Sequence, residues 1–162
     1  MSGARRVDQG MAAAAASVLP ENVSPELRTR YRQLRVMLHT AGLAATYAFI
    51  AAKSGEGGAL AEAYQSAGAG IRQRLSDAGL LTGDPRRMGA RQVMDELGRM
   101  NAVQYARASA EAAALAGWLS RLADAAYQAA AGRPAAAGDP GRPGTPGPGP
   151  GSDRGSAPEA GR

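Results

Sequence analysis

The chain of 162 residues has room for one domain and carries a formal charge of +5, with Lys53 as its only lysine. It contains no cysteine, which excludes disulfides and thiolate metal sites, and no stretch approaches the roughly 20 apolar residues of a membrane span. With one Phe, one Trp and many alanines, each helix contributes weakly to a core on its own, which leaves room for close helix approach and partner contacts to supply part of the stability.

Arg5-Arg6 ahead of Met11-Ala12-Ala13-Ala14-Ala15-Ala16 has the outline of an export leader. Asp8 and Gln9 interrupt it, however, and the apolar run is short and almost all alanine. Val7, Met11, Ala14 and Val18 recur every three or four residues and predict a first amphipathic helix instead.

Ser24-Pro25-Glu26 marks the next start. Serine caps, proline fits the first helical position, and glutamate meets the positive helix terminus. Leu27, Tyr31, Leu34 and Leu38 then form one apolar stripe. Arg28, Arg32, Arg35 and His39 repeat the same offsets one position on, as a basic ridge.

The apolar pattern resumes through Leu43, Tyr47 and Ile50, with Phe49 nearby. Gly42 between the two halves marks either a break or a close-packing point inside one long helix. Ser54-Gly55-Glu56-Gly57-Gly58 ends the segment. A further helix is expected over 59–78, with Leu60, Tyr64, Ala67, Ile71 and Leu75 inward and Gly79 as its stop.

Asp84-Pro85 is a second cap-plus-proline start, leading into a short helix through Val93, Met94 and Leu97. In the last helix, capped by Asn101, the residues Tyr105, Ala108, Ala112, Leu115, Leu119, Leu122 and Ala126 repeat as a coiled-coil-like seam. Gly132 and Pro134 end it. β-branched residues are scarce and no alternating pattern occurs. The chain therefore reads as all-α, a compact bundle of five or six helices over 1–131. Residues 132–162, built of Gly, Pro, Ala and Ser, read as a disordered tail.

Catalytic chemistry is thin. His39 is the only histidine, no nucleophile motif accompanies it, and no His or carboxylate cluster suggests a metal or other cofactor. Asp95-Glu96 reads as a solvated helix face. Gly68-Ala69-Gly70 lacks the third glycine of a dinucleotide fingerprint and lies inside helical periodicity.

Residues 1–131 hold fifteen Lys/Arg against eleven Asp/Glu, a bias that permits phosphate binding without demanding it. Candidate phosphate contacts are Arg28, Arg32, Arg35, Lys53, Arg72, Arg74, Arg86, Arg87 and Arg91. The first three lead because they share one helical face. Each can equally be read as a solvated charge or half of a salt bridge.

Two segments carry a family pattern: Leu34 through Ser54, with its Gly42-Leu43 and later Phe49, and Tyr105 through Ala123. In the second, Tyr105, Ala108, Ser109, Glu111, Ala112, Trp118, Leu119, Arg121 and Ala123 fall in the family's order and spacing. Together they resemble the small subunit of type III-B CRISPR (Cmr) RNA-silencing complexes, over roughly residues 5–130. Ala41 stands where that family usually has Asn, Ala106 where it has a basic residue, and its proline within 34–38 is missing.

The resemblance implies a cytoplasmic, non-catalytic subunit of an RNA-guided antiviral complex. Its copies would stack head to tail along the guide–target duplex and bridge the other Cmr subunits. Its implied partners are those subunits, further copies of itself, and the guide and target RNA backbones, with no membrane. Gly42, Leu43, Phe49, Tyr105, Glu111, Trp118, Leu119 and Arg121 are the expected packing and interface positions, with Glu111 able to pair with Arg107 one turn away. The small subunit of a type III-A or type I effector is the neighbouring alternative. A secreted ESX-type hairpin is another, disfavoured because Gly117-Trp118-Leu119 lies inside a predicted helix rather than in a turn.

Overall fold

The computed structural model describes residues 2–132, with side chains described from Asp8 onward; the tail expected beyond Gly132 lies outside the described residues. Six helices make up that stretch: α1 (Ser2–Val18), α2 (Pro25–Thr40), α3 (Leu43–Lys53), α4 (Gly58–Asp77), α5 (Ala90–Arg99) and α6 (Ala102–Ala131). The fold is all-α, with no strand among the described residues. α6 is the spine. It packs most extensively on α2, then on α1 and α4, while α3 lies against α4 and α5.

The helix ends follow their local chemistry. Ser24 Oγ accepts the Leu27 N–H at 3.0 Å, with Pro25 opening α2. Asn101 and Gln104 form a reciprocal capping box at the start of α6. α4 closes in a Schellman turn. Gly79 takes a φ of 69°, its N–H reaches the Ser76 carbonyl, and the Leu80 N–H reaches Leu75.

Gly42 proves to be a break, its φ of 86° ending one helix and opening the next. α5 begins later than the sequence suggests. Asp84 does open a turn, accepting the Arg86 N–H on its side chain and the Arg87 and Met88 N–H groups on its carbonyl. Arg72 Nε, however, occupies the Pro85 carbonyl at 2.8 Å, the acceptor that a continuing helix would offer to Gly89. The chain extends at Gly89 and α5 starts at Ala90.

The core follows the predicted stripes on α2, α3 and α4, where Leu27, Tyr31, Leu34, Leu38, Leu43, Tyr47, Ile50, Tyr64, Ile71 and Leu75 are all buried. On α1 the deepest residues are Met11 and Ala15, with Ala14 and Val18 only partly covered. On α6 the seam broadens. Ala116, Ser120 and Ala123 are buried, whereas Leu122, Ala126 and Tyr105 are not fully so. A straight helix drifts from a seven-residue repeat, and α6 serves neighbours on two flanks, so its buried face is wider than a two-helix seam.

The small residues allow close approach, as expected, but unevenly. A Cβ on Gly70 would lie 2.6 Å from Val18 of α1 and 3.3 Å from Leu115, and one on Gly68 would lie 3.2 Å from Ile50. These glycines are packing positions where α4 meets α1, α6 and α3. Gly117 is buried in α6 but is not a close-packing point, because a Cβ there would meet nothing within 4 Å.

Tyr31 is the core's polar anomaly. It is 2% exposed, and its hydroxyl finds no hydrogen-bond partner among the described residues. Burial, with Tyr64 nearby, pushes the phenol up to about 12. Because the unfolded chain ionises first, stability is intact below pH ~10 and falls as pH rises through the folded value, by about 2–3 kcal/mol in all. Tyr31→Phe removes an unsatisfied hydroxyl and should raise stability at pH 7 by about 1 kcal/mol while flattening this alkaline loss. Urea melts between pH 7 and 12 check this; a destabilised Phe variant at pH 7 would show that the hydroxyl has a partner.

Candidate interface of cations and small helices

The sequence-nominated positions gather at three places. The first is the junction of α2, α3 and α6. Gly42 has no side chain to cap α3, and the Tyr105 hydroxyl takes that role, accepting the Ala44 N–H at 3.1 Å. A Cβ on Gly42 would sit 3.7 Å from that hydroxyl. Leu43 is fully buried beside it. Gly42, Leu43 and Tyr105 thus form one structural joint across a long sequence separation.

The second place is the contact of α4 with α3, α6 and the 81–89 loop. Glu111 pairs with Arg74 at 2.7 Å, not with Arg107 on its own helix. Arg72 donates to the Tyr47 hydroxyl at 2.9 Å as well as to Pro85. Glu96 accepts from both the backbone N–H and the hydroxyl of Thr82, so only Asp95 of that acidic pair is the exposed face the sequence suggested. Phe49, half-buried, meets the Tyr64 ring edge-on at 5.7 Å.

The third is the seam between α2 and α6. Asp124 of α6 takes Arg28 Nε at 2.5 Å and Arg32 Nη2 at 2.8 Å on one carboxylate oxygen. Arg28 also lies over the Tyr127 ring at 4.9 Å. The Arg28 hydrogen bond, followed by those from Arg32, holds the Asp124 carboxyl below its ordinary value. Beside this triad a groove of about 560 Å³ is lined by Arg32, Arg35, His39, Arg121 and Asp124. Arg121 is held over the face of Trp118 at 4.5 Å, and Leu119 lies in the core behind it.

The candidate phosphate contacts therefore divide. Arg28, Arg32, Arg72 and Arg74 have intramolecular partners, and Lys53 pairs with Glu56 at 2.5 Å. Arg35, Arg86, Arg87 and Arg91 are exposed, with no carboxylate oxygen within 4.0 Å among the described residues. Arg121, read from sequence as a packing residue, joins this second group. The basic ridge on α2 is thus half structural, and Asp124, which sequence reasoning passed over, makes it so. That pairing spans 96 positions between separate helices, and no local spacing signals it.

Among the described residues no group of three His, Cys, Asp or Glu side chains is placed to hold a metal ion. No helix among them is long and apolar enough to cross a membrane. Gly117-Trp118-Leu119 sits within α6, not in a turn between helices.

A family model described as CRISPR-associated protein (Cas_Cmr5) matches residues 5–126, a span that reaches from α1 into α6. The chain belongs to this family, the small subunit of type III-B CRISPR (Cmr) complexes. That membership implies the other Cmr subunits as its partners. Comparison with curated proteins and with solved structures returned no match.

Asp124→Asn should loosen the α2–α6 seam. The Asp124 contribution is present above the ordinary carboxylate pKa and is lost as pH falls through its lower folded value. The Asn variant should therefore melt earlier than the parent at pH 7, with the gap closing as pH falls below ~4. Thermal melts from pH 7 to pH 2 test this; a gap that stays constant across that range would remove the ion pair as its cause.

Proposed function

We propose that this chain is a non-catalytic structural subunit that stacks along the guide–target RNA duplex of a type III-B complex in the cytoplasm and steadies the bound target strand. Arg35 and Arg121 at the α2–α6 groove contact phosphates, as do Arg86, Arg87 and Arg91 around the turn that leads into α5. The observation that carries this reading is that these five arginines are exposed and have no carboxylate oxygen within 4.0 Å among the described residues. Such groups bind a sugar-phosphate backbone without reading bases, and guide pairing already supplies sequence selection.

An all-helical bundle suits a staple. Its copies follow one another head to tail, a heterologous contact that extends along a duplex instead of closing on itself. The polar triad of Arg28, Arg32 and Asp124 keeps α2 and α6 in register under the groove, so Arg35 and Arg121 are presented on a fixed frame.

The double variant Arg35→Glu with Arg121→Glu removes no member of an internal ion pair. In a reconstituted complex it should weaken target RNA capture by about 2 kcal/mol, roughly thirtyfold, and lower the salt slope by about 0.7–0.9 for each lost contact. Filter binding across a salt series measures both. Unchanged affinity and slope would take the RNA off this groove.

A further inference from the structure

We infer that the outer edge of α2, where it meets α3, is the docking groove for a helix of another protein subunit, one that carries an aliphatic ridge flanked by carboxylates. A shallow groove of about 460 Å³ runs here along Thr29, Gln33, Val36 and Met37, with Phe49 of α3 on its far wall. Thr29, Gln33 and Val36 fall at successive four- and three-residue steps, so they form one row along the helix. A groove beside such a row accepts the side-chain ridge of a second helix.

Val36 is 60% exposed, an unusual position for a branched aliphatic residue on a helix whose inner stripe is already complete. The floor is carbon from Val36, Met37 and Phe49.

Charge selects the occupant. The ionisable groups of the lining are Arg30 and Arg32, one on each side of the row, and no carboxylate lines it. Glu26 balances Arg30 at 3.3 Å, but Arg32 shares the single carboxylate of Asp124 with Arg28, so two cations against one anion leave that side of the lip net positive. Val36 also borders the neighbouring α2–α6 groove with Arg35. A helix bearing Asp or Glu beside its aliphatic ridge satisfies floor and lip together.

A second copy of this chain fits less well. Among the described residues its other exposed large aliphatic side chain is Val103, at 78%, and Arg107 lies one turn further along that helix. That face would bring like charge to the lip. A nucleic-acid strand finds donors at the rim but no polar floor, and the Phe49 ring is engaged edge-on with Tyr64.

The inference rests on membership of the multisubunit complex and not on the RNA contacts at Arg35 and Arg121. The test compares Val36→Glu and Val36→Lys in the reconstituted complex, with incorporation of this subunit read by native mass spectrometry and target RNA capture read separately. Sedimentation of the isolated chain reports self-association. Both variants should keep parental helicity, because Val36 is exposed. Val36→Glu should lower incorporation by about tenfold or more, and Val36→Lys by several-fold less, since lysine complements an acidic partner. Incorporation that is unchanged, or that suffers as much from Lys as from Glu, overturns the proposal. So does loss of RNA capture with incorporation intact when it is seen for Thr29→Glu as well, a position in this groove and outside the α2–α6 groove; that would make the occupant a nucleic acid. Loss confined to self-association of the isolated chain would make it a second copy. The Arg35→Glu, Arg121→Glu pair should leave incorporation at the parental level, which keeps a failure of the RNA reading separate from a failure of this one.

Discussion

The buried face of α6, made mostly of alanine, glycine and serine, brings the other helices close to it but keys them weakly, because small side chains interlock little and bury little area. The polar side chains of α6 supply the missing registration. Asp124 holds α2 through two arginines, Glu111 holds α4 through Arg74, and the Tyr105 hydroxyl holds the start of α3. Each is half-buried or at a rim, where a charge-assisted or capping bond fixes geometry at modest desolvation cost. Three helices are thereby set against one spine. Exposed pairs such as Lys53–Glu56 and Arg30–Glu26 join near neighbours in sequence and fix no such geometry.

The same ties determine the outer surface. Carboxylates are fewer than cations over the folded part, and those of α6 are spent inward. Exposed carboxylates remain elsewhere on the surface, but among the described residues none lies within 4.0 Å of Arg35, Arg86, Arg87, Arg91 or Arg121, on a scaffold that belongs to a CRISPR-associated family. Arg121 illustrates the coupling of structure to use. The Trp118 face restrains its guanidinium without neutralising it, so it stays a donor to solvent or phosphate with part of its ordering cost already met.

Much of the fold was legible because its signals are local. Ser24-Pro25 and Asn101 begin helices by satisfying orphan amides within three residues, Gly79 ends one by its backbone freedom, and the stripes on α2, α3 and α4 follow a period of 3.6. Errors arose where a distant group intervened. The chain extends at Gly89, where the Pro85 carbonyl meets Arg72 and not a helix amide, and the neighbours of α6 widen its buried face beyond a heptad seam. The site was legible in composition and less so in assignment. The arginine ridge of α2 was visible, but its division into tied and untied members depends on Asp124, which lies on another helix. Gly42, Tyr105 and Glu111 stand out in the sequence by residue type and spacing. Their partners, Ala44 and Arg74, lay too far along the chain for spacing to name.

The central claim is that internal carboxylates decide which cations meet RNA. A structure of the assembled complex with target RNA bound addresses it directly. Phosphate oxygens should lie within hydrogen-bonding distance of Arg35 and Arg121 while Arg28 and Arg32 still share Asp124. RNA phosphates seated on Arg28 and Arg32 with Asp124 displaced, or RNA far from the α2–α6 groove, would contradict it.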